Sequence, residues 1–271
     1  MHDFLYTPQQ PGYEKAGQGY QMAPVNGKAI SQCFDVENPQ TVSIPVIPDG
    51  CHDLLFIFDG NRVESYVSLS VSQPYAFQFS KAQWIFGVRF LPGAMHSFSS
   101  IYEKGENDNI LWAADLFPGI RAVENQLCDS VTFLERQEKL FSYLQGVYKE
   151  DEKSRLLSYS VQSLLQSEGQ RLIETLAQKT GYTSRYLRQL FHRYVGHSPK
   201  ELGNLIRVQR TIVQLKNRKE EPLSQVAVFC GFSDQSHMNR ELKKYTKQTA
   251  EAIRENQMIS FSSLPERKFG N

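Results

Sequence analysis

At 271 residues, 40% of them hydrophobic and 22% charged, the chain has room for two domains and an ordinary globular composition, which excludes disordered and fibrous classes. Its longest strongly apolar run, Leu54 to Phe58, falls far short of the ~20 residues of a spanning helix, so no membrane span is expected. The net charge of +1 conceals an asymmetry: residues 1–154 carry 11 Lys/Arg against 19 Asp/Glu, net −8, and residues 155–271 carry 19 against 10, net +9.

The start, Met1-His2-Asp3-Phe4, lacks an apolar segment behind basic residues and does not read as a secretory signal, so a cytoplasmic protein is expected. Residues 1 to about 30 show no periodicity and predict an irregular arm. Strand patterns follow. Val42, Ile44 and Val46 alternate with polar or proline positions, Leu54 to Phe58 suits a buried strand, and Asp59-Gly60-Asn61 turns into Val63 to Val71. Tyr75, Phe77 and Phe79 alternate again, and Trp84 to Phe90 runs to a break at Pro92-Gly93. Several short strands separated by turns predict a small barrel or sandwich.

From Gly119 onward the period is helical. Ile120, Val123, Leu127, Val131 and Leu134 form one apolar stripe, and Leu140, Leu144 and Val147 another. Such helices either pack on their own domain or offer a homodimer face. Lys149 to Ser154 reads as a solvated linker or a helix start. Cys33, Cys51, Cys128 and Cys230 are scattered without a C-x-x-C pair, so neither zinc, another metal or cofactor, nor a disulfide framework is expected.

The most informative pattern is a repeat. Leu176-Ala177 before Gly181-Tyr182 recurs, 50 residues on, as Val226-Ala227 before Gly231-Phe232. In each copy an amphipathic helix ends at a glycine suited to a left-handed turn, a hydroxyl residue (Thr183 or Ser233) stands ready to cap, and a second helix follows. The apolar faces of those second helices are Leu187, Leu190, Phe191 and Met238, Leu242, Tyr245. Their opposite faces carry Ser184, Arg185, Arg188 and Gln189 in one copy and Gln235, Ser236, His237, Asn239, Arg240 and Lys244 in the other. Arg pairs bidentately with guanine, and Gln or Asn with adenine, in the major groove. Two such helices in the basic part of the chain predict tandem helix-turn-helix units on double-stranded DNA. Leu202, Leu205, Ile206, Ile212 and Leu215 mark a long helix between them, able to set the two about one helical turn, ~34 Å, apart.

At these residues the chain resembles the AraC/XylS family of transcription regulators, over about residues 160 to 256. The resemblance runs from Leu176-Ala177 through Gly181-Tyr182-Thr183-Ser184-Arg185-Tyr186-Leu187 to Gly196-His197-Ser198-Pro199, and through Gly231-Phe232-Ser233-Asp234-Gln235-Ser236-His237 and Arg240. Met238, Leu242, Lys247, Ala250 and Thr211 depart from it, standing where the family usually has phenylalanine, phenylalanine, glycine, proline and alanine. Val46 to Phe56 and Gly87 to Ala94 look like the cupin-related N-terminal domain of some members. The resemblance implies a sequence-specific regulator of promoter DNA, working with RNA polymerase as activator or repressor, its N-terminal domain sensing a small-molecule effector or dimerising. Phe56, Phe58, Tyr66, Phe77, Trp84 and Phe86 are candidates to line an effector pocket or to fill a core.

The expected fold is α+β. Residues 1–150 form a cupin-like β-barrel with following helices, residues 155–258 an all-α domain of two helix-turn-helix units, and residues 259–271 a tail. Two other readings are weaker. A metal-dependent cupin enzyme would draw on His52, Asp53 and His96, but the His-x-His spacing of such sites is missing, and Cys51 and His52 would point to opposite faces of a strand. No catalytic site is therefore expected. A ligand-independent DNA-shaping protein has little need of the acidic N-terminal part, which would then serve only for oligomerisation or contact with RNA polymerase.

Overall fold

The computed structural model describes residues 6–25, 29–39, 43–78, 82–99, 110–256 and 264–268. Val42, Phe79 and most of the tail, which the sequence assigns to strands and to a terminal extension, lie outside them. Elements run in the order α1 (Pro11–Ala16), β1 (Gly17–Pro24), β2 (Ile30–Pro39), β3 (Ser43–Val46), β4 (His52–Phe58), β5 (Val63–Ser68), β6 (Tyr75–Gln78) and β7 (Trp84–Phe90). A 3-10 turn at Ala94–Ser97 leads on to β8 (Ile110–Trp112), α2 (Ala113–Leu116), α3 (Ile120–Cys128), α4 (Phe133–Val147) and α5 (Glu152–Gln166). The helical part continues as α6 (Ile173–Thr180), α7 (Ser184–Tyr194), α8 (Pro199–Asn217), α9 (Leu223–Phe229), α10 (Gln235–Thr246) and α11 (Ala250–Arg254), before β9 (Glu266–Lys268).

The N-terminal domain is built on a six-stranded antiparallel sheet in the order β1-β2-β7-β4-β5-β8, with a second sheet β3-β6-β9. The expected barrel is not closed: among the described residues β1 and β8 stand at opposite edges of the large sheet. Period-2 alternation makes that sheet two-faced. Leu55 and Ile57 of β4 and Ile85 of β7 pack with Ile44, Tyr75 and Phe77 of the small sheet, while Leu54, Phe56, Phe86 and Val88 pack with Ile120, Val123, Leu127, Leu140 and Leu144 of the helices. Sheet, sheet and helices thus form three layers, and β4 is buried on both faces.

Three local readings are revised. The N-terminal arm is not irregular throughout, because residues 11–24 form α1 and β1, and β1 holds its place by backbone pairing along β2 from Gly17↔Pro39 to Pro24↔Gln32. An edge strand held this way leaves little apolar pattern in the sequence. The stripe through Val131 and Leu134 is broken: α3 ends at Cys128, leaving Val131 78% and Leu134 61% exposed. Residues 149–154 realise the helix-start reading, since Asp151 and Ser154 form a reciprocal capping box at the start of α5.

One buried ion pair ties the layers together. Arg136 of α4 donates to both carboxylate oxygens of Asp35 on β2 at 2.9 and 2.8 Å, with its guanidinium 4.5 Å from the centroid of Trp84. A second, Arg89 to Asp53, is bidentate at 2.7 Å. Burial pushes the Asp53 carboxyl up, and the Arg89 charge opposes that shift.

Candidate nucleic-acid interface

The helical domain is organised around α8, nineteen residues begun by Pro199 behind the capping hydroxyl of Ser198. Leu202 and Ile206 on one side complete a core with α5, α6 and α7, and Leu205, Val208, Ile212 and Leu215 on the other complete a core with α9, α10 and α11. The two helix pairs α6–α7 and α9–α10 are therefore built on one rigid rod. Thr211, in place of a family alanine, is fully buried there with its hydroxyl donating to Arg207 O at 2.7 Å.

Each pair turns at a glycine in the left-handed region, Gly181 (φ 76°) and Gly231 (φ 79°), where a side chain would be strained. Thr183 caps α7 as expected, accepting from Tyr186 N at 3.2 Å. At the second pair the cap is Asp234 rather than Ser233: its Oδ1 accepts from His237 N at 2.8 Å, and Ser233 donates to the other oxygen. A carboxylate at this position also meets the positive end of the helix dipole. Leu187, Leu190, Phe191, Met238, Leu242 and Tyr245 are all buried.

The candidate DNA readers fall into three groups. Arg185, Arg188, Gln189, Ser236 and Arg240 are exposed, and the side chains of Arg185, Gln189 and Arg240 have no hydrogen bond or ion pair with another described residue. Arg188 is held by Glu174 at 2.9 Å. Ser184 and Gln235 are half-buried at the first turns of their helices, Gln235 donating to Glu251 at 3.4 Å. The remaining three have structural partners. His237 meets Ser233 Oγ at 3.1 Å and the Phe232 ring edge-on, and Lys244 folds onto Tyr245, donating to its hydroxyl at 2.8 Å. Asn239 accepts the backbone N–H of Ala250 at 2.9 Å through Oδ1. Proline, usual in the family at that position, has no N–H to give, so the Asn239–Ala250 bond follows from the departure at Ala250.

The six aromatic effector candidates do not share a wall. Phe56, Phe86 and Trp84, with Phe58 beside them, pack toward the helices, whereas Tyr66 and Phe77 lie between the two sheets. Phe56 stacks on Phe86 and Phe58 on Trp84, with centroids 6.0 and 5.3 Å apart. His52 is buried with Nδ1 accepting Ser70 N at 2.8 Å, Asp53 is paired with Arg89, and His96 sits against Tyr194 and Asp151. Among the described residues no three His, Cys, Asp or Glu come together in a group able to hold a metal ion.

No sequence pattern indicates how the two domains meet. Ser70 Oγ lies 2.7 Å from Nε2 of buried His197, and Gln209 of α8 donates to Pro48 O at 3.2 Å and accepts from Gln9 N at 2.8 Å. The neighbouring Glu201 carboxyl is held down to about 2 by its hydrogen bond to His197. Cys51 and Leu91 complete the core of the first helix pair and Ile47 that of the second.

The arrangement is a sheet-rich domain followed by a basic helical domain in which α7 and α10 each bury an apolar face and expose a polar one. Residues 176–256 match a helix-turn-helix domain family of AraC type, and residues 30–104 match a domain family of unknown function, DUF6597. A Proteus vulgaris protein described as the probable transcription factor PqrA is 31% identical over 103 residues, which cover 37% of this chain and 81% of that protein. The chain belongs to the AraC family of transcription regulators. Among solved structures, ToxT from Vibrio cholerae aligns over 89% of this chain and 99% of its own at 15% identity, TM-score 0.39. The C-terminal domain of the response regulator AraT from Geobacillus stearothermophilus aligns over 42% and 94% at 21% identity, TM-score 0.36. No helix is long and apolar enough to cross a membrane among the described residues.

Proposed function

We propose that residues 155–258 form a double helix-turn-helix domain in which α7 and α10 read adjacent major-groove segments of promoter DNA, and that residues 1–150 regulate it. The observation that carries this is the equivalence of α7 and α10: each is capped, buried along its apolar face against the α8 core, and exposes arginine on the other face, Arg185 and Arg188 in α7 and Arg240 in α10. Arg185 and Gln189 serve one half-site, Ser236 and Arg240 the other, while Arg188, paired with Glu174, stands at the edge of α7 toward the DNA backbone. His237, Asn239 and Lys244, whose side chains already have partners, position α10 and its neighbours. Regulation enters through α8 and the turn before it, which the N-terminal domain contacts at Gln209 and His197 respectively, with a small-molecule effector as the trigger and RNA polymerase as the downstream partner.

After selection of a preferred duplex, Arg185→Ala and Arg240→Ala are measured on every single-base variant of that site. Each is expected to lose about 1–3 kcal/mol of discrimination at base pairs confined to one half-site, and a different half for each. Equal weakening on all sequences by both variants would overturn the assignment of readers. Control through the N-terminal domain is checked by metabolite-library thermal shift on the full chain, where no stabilising compound class would count against a small-molecule trigger.

A further inference from the structure

Between the two helix pairs runs an open groove, floored by the start of α8 and bounded by the start of α6 on one side and the Gly231 turn on the other. Arg171, Arg188, Lys200 and Arg207 line it, and Glu174 is the one acidic residue among its described lining. The backbone shape keeps it open. The α5–α6 loop crosses α8 so closely that a Cβ on Gly169 would lie 2.1 Å from Gly203 O.

The four cations are not equivalent. Arg207 braces the groove, donating to Gly231 O at 3.1 Å and Asn204 Oδ1 at 2.9 Å. Arg188 pairs with Glu174, but both side chains are more than half exposed, and an exposed pair of that kind is readily exchanged for another anion. Among the described residues no side chain accepts from the Arg171 guanidinium or the Lys200 ammonium, and the buried Nε atoms of Arg171 and Arg207 have no acceptor. At the same wall α6 starts at Ile173 behind Leu172, whose side chain makes no cap hydrogen bond, and a helix N-terminus of this kind favours an anion.

We propose that this groove is a phosphate clamp for the DNA backbone where it passes between the two base-reading helices. Arg171 and Lys200 each take one phosphate, Arg188 exchanges Glu174 for a third, and Arg207 holds the walls. The clamp rests on the reading of α7 and α10 as base readers. Because it grips sugar-phosphate rather than bases, it adds affinity and register without sequence preference.

The test uses the full chain and fluorescence anisotropy on a selected and a scrambled duplex across a salt series. For the double variant Arg171→Gln/Lys200→Gln, the slope of log affinity against log salt is expected to become shallower by about 2, at ~0.9 per lost phosphate contact. Both duplexes should weaken by the same factor and base preferences should stay unchanged. A charge-matched control, Lys149→Gln/Lys153→Gln, is expected to leave the slope in place. Glu174→Gln is expected to bind both duplexes several-fold more tightly, a gain that misfolding does not produce. An unchanged slope in the double variant, an equal loss in the control, or a loss confined to the selected duplex would overturn the clamp. A wild-type chain with no duplex affinity would overturn the functional reading itself, and that result is visible before any variant is made.

Discussion

Asn239 separates two roles that the same residue type can play. On an exposed recognition helix it is a natural adenine reader, but its Oδ1 accepts the N–H of Ala250, the first residue of α11, at 2.9 Å. Ala250 is fully buried, and Ile253 one turn on packs in the same core as Leu205 and Met238. Replacing Asn239 by Ala leaves that donor unsatisfied at a cost of about 1–3 kcal/mol. Amide exchange in residues 246–254 of the full chain, followed by mass spectrometry, should accelerate by about 5- to 150-fold, which is the same free energy expressed as an opening equilibrium. Ala250→Pro removes the donor at a first helical position where proline is tolerated. In that background Asn239→Ala should cost less by roughly 1 kcal/mol or more, a coupling that the double-mutant cycle reads directly. Unchanged exchange in Asn239→Ala, together with loss of preference at a single A·T pair, would refute the structural role and restore the base-reading one.

Other outcomes follow from single contacts. Asp35→Asn leaves the Arg136 guanidinium buried without its counter-charge and should destabilise by about 3–5 kcal/mol in urea unfolding, whereas Asp35→Leu with Arg136→Met should come close to wild type. Lys247 ends α10 in the left-handed region at φ 58°, so Lys247→Gly should raise stability by about 0.5–1 kcal/mol, read as a higher melting temperature. Glu201 is a carboxyl depressed to about 2 in the fold from an ordinary value of 4.5, so its contribution is complete above pH 4.5 and is lost as pH falls toward 2. The melting temperature of Glu201→Gln should therefore converge on that of wild type across this window, and parallel curves would rule out the His197 contact as the cause.

The parts of the fold set by local pattern were legible in the sequence. Helical spacing placed Leu202 to Leu215 on the linker rod, glycine conformational freedom marked Gly181 and Gly231, alternation marked β3 and β6, and a continuous apolar run marked β4. What could not be read depends on partners distant in the chain. β1 is an edge strand defined by pairing with β2, and the split of the aromatic residues between two faces depends on the register Phe56↔Phe86 and Phe58↔Trp84. Arg136 and Asp35 are 101 residues apart, and Ser70 and His197 are 127 apart. At the site, residue type identified the arginines correctly as exposed, but Asn239, His237 and Lys244 look identical in sequence whether they face DNA or brace α10 and its neighbours.

The most direct measurement is selection from a random duplex library with the full chain, followed by salt-titrated binding to the enriched sequence. The expected result is a two-part motif with its halves about one helical turn apart, bound with a steep salt dependence. Enrichment of no sequence, or of a single short motif whose recognition survives Arg240→Ala, would contradict a regulator that reads DNA through both α7 and α10.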